Sequence, residues 1–221
     1  MKLSLGAYFP LPSDFTGINY TCVSLCESMR SGRLEVELYT PIVRKPAERD
    51  FVKPFILIGS SHFPYRFLRG PLNYARHRWF LKKMKQNDAA YLWSEVPLHI
   101  SDELRRMDVV LVREKFNCHQ ASARHILDAE YKRLSQAPQH RITDEAIEKE
   151  VQELAWADYI FSPSPMVRQS LVANGVSKQK ILDTSYGWEP ERFEVIDQSS
   201  RMVRPGPLRV LFVGRLCIRK G

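Results

Sequence analysis

Short apolar runs alternate with longer segments of helical periodicity along the chain. The runs are rich in aliphatic and aromatic residues, and Pro, Gly, Asp or Ser flanks most of them, which is typical of buried strands. Strands that alternate with helices predict an α/β fold, in which crossover helices connect the strands of a parallel sheet. The predicted strands cover residues 3–9, 34–39, 55–58, 89–93, 109–112, 159–161, 180–182 and 208–213.

Helices are predicted between these strands, and the local signals at their ends support them. Ser164 and Pro165 are suited to the N-cap and first position of one helix, because Ser caps free N–H groups and Pro needs none. Gly175 is placed to end that helix in the left-handed conformation. The other crossover helices are predicted at 16–29, 71–86 and 117–134.

A further helix is predicted to begin after Thr143, an N-cap residue followed by two acidic residues that favour a first helical turn. Its buried face is predicted from apolar spacing at Ile147, Val151, Leu154 and Ala155. Three glutamates share this helix, and paired-carboxylate catalysis is one interpretation of them. The spacing favours a solvated side of the helix instead, formed by Glu148, Glu150 and Glu153.

Periodicity is lost over residues 194–207, which contain Arg, Pro and Gly and predict a linker. The strand predicted after it, 208–213, cannot bury both faces alone. We therefore expect a Rossmann-like domain at 1–193, a linker at 194–207 and, at 208–221, the first strand and phosphate loop of a truncated second domain.

Composition excludes several protein classes. The chain has 221 residues, 44% of them hydrophobic, yet no apolar run of about 18 residues that could span a membrane. Pro10 and Pro12 interrupt the N-terminal apolar stretch before an export signal could form. Four cysteines are too few for a disulfide scaffold, so we expect reduced thiols in a cytoplasmic protein, with Cys22 and Cys26 in the core.

The net charge of +8 indicates an anionic partner. One segment concentrates the charge, since it holds seven basic residues, no acidic residue and several aromatic side chains. Three interpretations remain open for it: a solvated face, a surface for acidic lipid headgroups at the inner face of a membrane, or a nucleic-acid surface. Its basic residues are Arg66, Arg69, Arg76, Arg78, Lys82, Lys83 and Lys85.

A candidate phosphate site follows the last predicted strand, in the sequence GRLCIRKG at 214–221. Parallel sheets bind ligands at the carboxyl ends of their strands. Arg215 offers a planar fork of N–H donors and Lys220 a point charge, which together suit a diphosphate. The alternative is a turn that carries two solvated cations.

Further motifs precede that loop: ELAWADYIFSPS at 153–164, YGWEPERF at 186–193, YLWS at 91–94 and VLVREKFNCH at 110–119. In this order and spacing, they resemble family-4 glycosyltransferases of the GT-B fold. The resemblance is densest over the last third of the chain. Ser185, Trp188 and Glu189 depart from the family pattern, which puts the donor contacts of that turn in doubt.

The resemblance implies a retaining transferase with two Rossmann-like domains, which moves a sugar from a nucleotide-diphosphate donor to a saccharide or lipid-linked acceptor. The donor is a co-substrate, and no cofactor or metal is implied. Arg215 and Lys220 would neutralise the departing diphosphate. His119 would lie near the reacting sugar, Gly17 would approach a substrate closely, and Gly187 would shape a turn beside the donor.

Two glutamates of the family's donor site, spaced E-x7-E, would lie beyond residue 221, so the chain alone is expected to be inactive. His119, Cys118 and His125 do not have the spacing of a zinc site. Arg113 and Glu114 leave a strand together, and one of them is a candidate to face the cleft. The rival hypothesis is a non-enzymatic module that binds nucleic acid or acidic membranes through residues 66–85.

Overall fold

Seven parallel strands form one sheet in the computed structural model, which describes residues 2–13, 15–43, 49–57, 65–93, 96–186, 207, 210–211, 213–214 and 217–220. Of residues 57, 65–72 and 220 it describes the backbone alone. The strands pair in the order β3-β2-β1-β4-β5-β6-β7. They are β1 (Leu3–Tyr8), β2 (Leu34–Val43), β3 (Val52–Leu57), β4 (Ala89–Leu92), β5 (Val110–Glu114), β6 (Tyr159–Ser162) and β7 (Ile181–Asp183).

Six α-helices flank this sheet within the described residues. Two sequence-predicted caps are confirmed: Thr143 Oγ1 accepts a hydrogen bond from the N–H of Ala146 (3.2 Å), and Ser164 Oγ accepts one from Val167 (3.3 Å). Gly175 has a φ of +87°, as its predicted role requires. The helices are α1 (Gly17–Met29), α2 (Tyr65–Met84), α3 (Leu98–Arg106), α4 (Gln120–Arg133), α5 (Asp144–Trp156) and α6 (Pro165–Ala173).

The strand order reverses between β1 and β4. From β1 the chain proceeds outward to β2 and β3, and it then returns to place β4 on the other side of β1. Such a reversal opens a crevice at the carboxyl ends of the strands, which is where open parallel sheets bind ligands. A ligand site is therefore expected among the loops that follow β1, β4 and β5.

The core has a layer on each face of the sheet. On one face, α1 packs Cys22, Val23 and Cys26 against Leu38 and Tyr91, which confirms both cysteines as core thiols. On the other face, α2 and α3 bury Phe80, Met84, Ile100 and Leu104. At Gly6 of β1, a Cβ would lie 2.3 Å from the Met84 sulfur, so any larger residue there would force the buried Met84 side chain to shift.

Two elements differ from the sequence prediction. Helix α3 was not predicted, because only Ile100 and Leu104 supply its buried apolar side chains. Strand β2 continues beyond Tyr39, past a proline that suggested its end, since Ile42 and Val43 pair with β3.

The predicted buried face of α5 is wrong in part. Val151 and Ala155 are exposed, whereas Glu150 is buried, as Leu154 is. Glu148 does face solvent, but Glu150 and Glu153 form ion pairs with cations near the end of β5. These ion pairs explain why α5 turns two of its charged residues inward.

The strand predicted at 208–213 is absent at the residues described there. Val210, Leu211 and Val213 are 81–86% exposed and lie outside the sheet. No described strand pairs with them, and the prediction that they begin a second domain stays a prediction. The rest of this strand, and residues 194–206 of the predicted linker, lie outside the described residues.

Candidate functional site

The carboxyl end of β5 carries the densest group of buried ionisable side chains in the described chain. Strand residues alternate between the two faces of a sheet, so consecutive Arg113 and Glu114 point in opposite directions. Both are almost completely buried, with 3% and 2% of their surfaces exposed. The loop at 115–119 then leads into α4.

Arg113 makes a buried ion pair with α5. Its Nη2 lies 2.5 Å from Glu153 Oε2, and Lys149 Nζ lies 3.7 Å from the other oxygen of that carboxylate. Burial lowers the pKa of Arg113, and the negative charge of Glu153 opposes this shift. Because burying an unpaired charge is costly, Glu153 compensates the buried positive charge of Arg113.

Glu150 holds the loop after β5 in place. One carboxylate oxygen lies 2.5 Å from Lys115 Nζ, and the other accepts a hydrogen bond from the Gln120 N–H at 2.6 Å. Gln120 is the first residue of α4, where free N–H groups and the helix dipole favour negative charge. Glu150 therefore serves as an internal anion for the N-terminus of α4.

His119 is the N-cap of α4 and is 1% exposed. Its Nδ1 accepts a hydrogen bond from the Ala121 N–H (3.2 Å) and lies 3.5 Å from Glu150 Oε2. Burial lowers the pKa of His119, Glu150 raises it, and Lys115 lowers it. Because Nδ1 accepts, we assign the neutral imidazole with its proton on Nε2, an atom that has no hydrogen-bond partner among the described residues.

Glu114 lies on the opposite face, in an uncharged environment. The hydroxyl of Tyr91 donates a short hydrogen bond to one carboxylate oxygen, and Tyr186 lies 3.4 Å from the other. Burial raises the pKa of Glu114 to about 7, although both tyrosine hydrogen bonds act in the opposite direction. Glu114 is thus close to half-ionised at neutral pH.

Two clefts adjoin the loop after β5. The β5 cleft has a volume of about 290 Å³ and lies between this loop and α5. The α4 cleft, of about 1410 Å³, lies between the same loop, α4 and the described residues near the end of the chain. Residues of the loop that line both clefts are Lys115, Phe116 and Asn117.

The structure brings some sequence-predicted site residues together. Ile218 and Arg219, from the predicted phosphate loop, line the α4 cleft beside Cys118 and Gln120. His119 lies between Cys118 and Gln120 in sequence but is not among the lining residues of either cleft. Arg215, Gly187 and the Lys220 side chain lie outside the described residues.

Gly17 begins α1, after the loop that follows β1. Its φ of +52° requires a conformation that favours glycine. A Cβ at this position would have no described atom within 4 Å. The backbone angle therefore accounts for this glycine, and the predicted close approach to a substrate stays a prediction.

The structure separates the basic residues of the segment 66–85 into a buried arginine and several exposed residues. Arg76, predicted as part of a basic surface, is buried, and its Nη1 donates to the carbonyl of Pro10 (2.9 Å). This part of the prediction is wrong, because one turn of α2 directs Arg76 and His77 inward. Exposed basic residues remain at Arg78, Lys82, Lys83 and Lys85, and the side chains of Arg66 and Arg69 lie outside the described residues.

Sequence reasoning missed the roles of Glu150, Glu153, Tyr91 and Tyr186. A signal for the glutamates was present, since Arg113 follows three apolar residues of a buried strand and needs an acidic partner. Among the residues described, no group of three or more His, Cys, Asp or Glu could hold a metal ion. None of the described helices is long and apolar enough to cross a membrane.

Comparison with known proteins shows the fold alone. No family model and no curated protein matches the sequence. UGT2 of Phytolacca americana, solved with UDP-2-fluoro-glucose and pterostilbene, superposes with a TM-score of 0.51 at 13% identity, over 83% of this chain and 52% of that one. A UDP-N-acetylglucosamine 2-epimerase gives 0.50 at 11% identity, over 83% and 48%.

The chain thus spans about half the length of these solved chains. Together with the seven-stranded parallel sheet, this likeness confirms the predicted α/β, Rossmann-like architecture of a GT-B half-domain. Identities this low do not assign an activity.

Proposed function

We propose that this chain supplies the acceptor-side half of a family-4-like GT-B glycosyltransferase. The enzyme would transfer a sugar, with retention of configuration, from a nucleotide-diphosphate donor to a saccharide or lipid-linked acceptor. The observation that carries this proposal is the position of Ile218 and Arg219. They lie in the α4 cleft beside the loop after β5, at the edge of the sheet where parallel folds bind ligands.

The proposed roles follow the sequence motifs. Arg215 and Lys220 would neutralise the negative charge that grows on the diphosphate as the glycosidic bond breaks, which stabilises the transition state more than the ground state. Gly187 would shape the turn beside the donor, and Gly17 the loop near a substrate. His119 would support the reacting sugar from beneath the loop, as the N-cap of α4.

A nucleotide screen tests the donor site. The protein at its full natural length is heated with UDP, GDP, ADP, CDP or dTDP, because a ligand that binds only the folded state raises the melting temperature. We expect one nucleotide to raise it by several degrees, and expect Arg215→Ala or Lys220→Ala to abolish the shift. Lys178→Ala, an exposed cation on another element, is the matched control. A shift with no nucleotide contradicts the proposal.

The stereochemical course is tested separately. Once a donor is known, NMR of the first product formed reports its anomeric configuration before any equilibration. Retention gives the donor's own anomeric configuration in the product. Inversion would exclude a family-4-type mechanism while leaving glycosyl transfer intact.

A second candidate function is supported by the exposed face of α2. Tyr74 is 72% exposed, and Arg78, Lys82 and Lys85 follow it at helical spacing of four, four and three residues. These four residues, the α2 basic face, combine an aromatic side chain with positive charge. We propose that this face contacts acidic lipid headgroups, which attract basic helices carrying exposed aromatic residues.

Liposome co-sedimentation tests the α2 basic face. We expect binding to vesicles that contain anionic lipid at low salt, and loss of most of it in the double variant Arg78→Gln/Lys82→Gln. The double variant Lys132→Gln/Lys178→Gln removes the same charge elsewhere and should bind normally. Equal loss in both variants would show a non-specific charge effect, and tighter binding to single-stranded DNA would favour the nucleic-acid alternative.

A further inference from the structure

The β5 cleft is not used by the donor chemistry proposed above. Its lining comes from three elements: the end of β5, the loop that follows it, and one side of α5. Its volume is about 290 Å³. This space lies at the lower end of the range for small-molecule pockets, about 300 to 1,000 Å³. A ligand of monosaccharide size is therefore the largest that it suits.

The buried charge in the β5 cleft is balanced, because Arg113 and Lys115 face Glu153 and Glu150, whereas the third cation, Lys149, has a side chain that is 48% exposed to solvent. Each cation there has a carboxylate within 4 Å: Arg113 has Glu153, Lys115 has Glu150, and Lys149 has Glu153. An added anion would approach two carboxylates, and an added cation would approach three positive side chains. The balance disfavours both kinds of ion and favours an uncharged ligand.

The cleft offers both hydrogen-bond donors and hydrogen-bond acceptors. Each lysine ammonium has three N–H donors, and Lys149 is too far from Glu153 for a hydrogen bond. The Glu153 oxygen that faces Lys149 remains able to accept. Asn117 adds an amide with both a donor and an acceptor. A hydroxyl group both donates and accepts hydrogen bonds, so a ligand with several hydroxyls complements these donors and acceptors.

An apolar wall completes the cleft. Phe116, Ala146 and Leu154 line it, and the ring of Phe116 stacks on Trp93 with 6.4 Å between centroids. This packing orders the aromatic side chain before any ligand arrives. Sugar rings combine hydroxyl edges with an apolar C–H face, which is the combination that these side chains complement.

We infer that the β5 cleft is a binding site for an uncharged, hydroxyl-rich ligand, a single sugar unit, held by Lys149, Glu153 and Asn117 against Phe116. The assignment of this sugar to the acceptor rests on the proposed function. The binding itself does not, and it is measured without any donor.

The test is a titration of the full-length protein, labelled with nitrogen-15, with methyl α-D-glucopyranoside, methyl α-D-galactopyranoside or methyl α-D-mannopyranoside. We expect saturable amide shifts, confined to residues 113–120 and 144–154, with a dissociation constant in the millimolar range for at least one glycoside. Sodium phosphate and tetramethylammonium chloride, the ionic probes, should cause no saturable shift there. No saturable shift with any glycoside overturns the proposal, as does stronger binding of either ionic probe.

Two variant pairs localise the binding. Ala146→Leu fills the cleft and should abolish the shifts, while Ala155→Leu, on the exposed side of the same helix, should not. Lys149→Ala removes one donor and should weaken binding about tenfold, whereas Lys132→Ala on α4 should leave it unchanged. Unchanged binding in Ala146→Leu overturns the site. The nucleotide screen separates the outcomes, because loss of donor binding does not alter the glycoside titration.

Discussion

The two faces of β5 bury ionisable groups in different ways. The positive charge of Arg113, on the α5 face, is compensated by Glu153, which lies 2.5 Å away. Glu114, the next residue, accepts hydrogen bonds from the hydroxyls of Tyr91 and Tyr186, and burial raises its pKa to about 7. A low-dielectric interior therefore accepts a charge by pairing it or by shifting its protonation. Adjacent residues in one strand show both solutions.

The largest expected effect comes from breaking the buried pair. Glu153→Gln leaves the guanidinium of Arg113 without a compensating charge, and we expect the free energy of unfolding to fall by about 3 to 5 kcal/mol. Urea unfolding at pH 7, followed by circular dichroism, measures this change.

Glu148→Gln is the matched control for that experiment, since it makes the same substitution on the exposed side of α5. It should change stability by no more than about 0.5 kcal/mol. Equal effects of the two substitutions would show that Arg113 does not depend on Glu153.

The next effect depends on pH. The pKa of Glu114 is raised from 4.5 to about 7 in the folded state, so folding takes up a proton between these values. The contribution of Glu114 to the free energy of unfolding is fully present below pH 4.5 and is lost as pH rises through 7, and the loss amounts to about 3 kcal/mol in total. Glu114→Gln removes this titration, so its stability relative to the native protein should be greater at pH 8 than at pH 5.

Urea unfolding at both pH values measures the Glu114 effect, and the difference between the two conditions is the informative quantity. Glu148→Gln again serves as control, because an exposed carboxyl should give nearly the same result at pH 5 and pH 8. A stability difference for Glu114→Gln that does not change with pH would refute the raised pKa.

The smallest effect concerns the cap of α4. His119→Ala removes the acceptor for the Ala121 N–H and should lower stability by about 1 kcal/mol. Asn also caps helices well, so His119→Asn should recover most of this loss. Thermal melts of both variants measure the loss and the recovery of stability.

His119→Asn also discriminates between two roles for this residue. If His119 acts mainly as a cap that positions the loop, the transferase activity proposed for the full-length protein should survive in the Asn variant and fall in the Ala variant. Equal loss of activity in both, with stability restored by Asn, would indicate that the imidazole itself contacts a substrate.

Much of the fold follows from short-range signals in the sequence. Apolar runs identified each strand of the sheet, and Thr143 and Ser164 cap their helices as expected. Helix α3 was missed because it packs only two apolar side chains, which is too weak a pattern to detect. Spacing also assigned Val151 and Ala155 of α5 wrongly to the core, since periodicity assumes that apolar residues point inward.

The candidate site was identified partly from sequence motifs and partly from the structure. Resemblance of motifs singled out His119, and the structure shows it as a cap beneath a loop rather than at the surface of a cleft. The clustering of Glu150 with Lys115 brings together residues 35 positions apart, and no local pattern specifies such a meeting.

By itself, the sequence determined which segments form the seven strands of the sheet, where α5 and α6 begin, and that Cys22 and Cys26 are buried. Only the tertiary structure decided which side of α5 faces the sheet, that Arg76 is buried, and that Glu114 has no cationic partner among the described residues. The physical reason is that the two kinds of interaction act over different distances along the chain. Backbone preferences and caps act over a few residues, whereas the burial and pairing of charges depend on which elements the fold brings into contact.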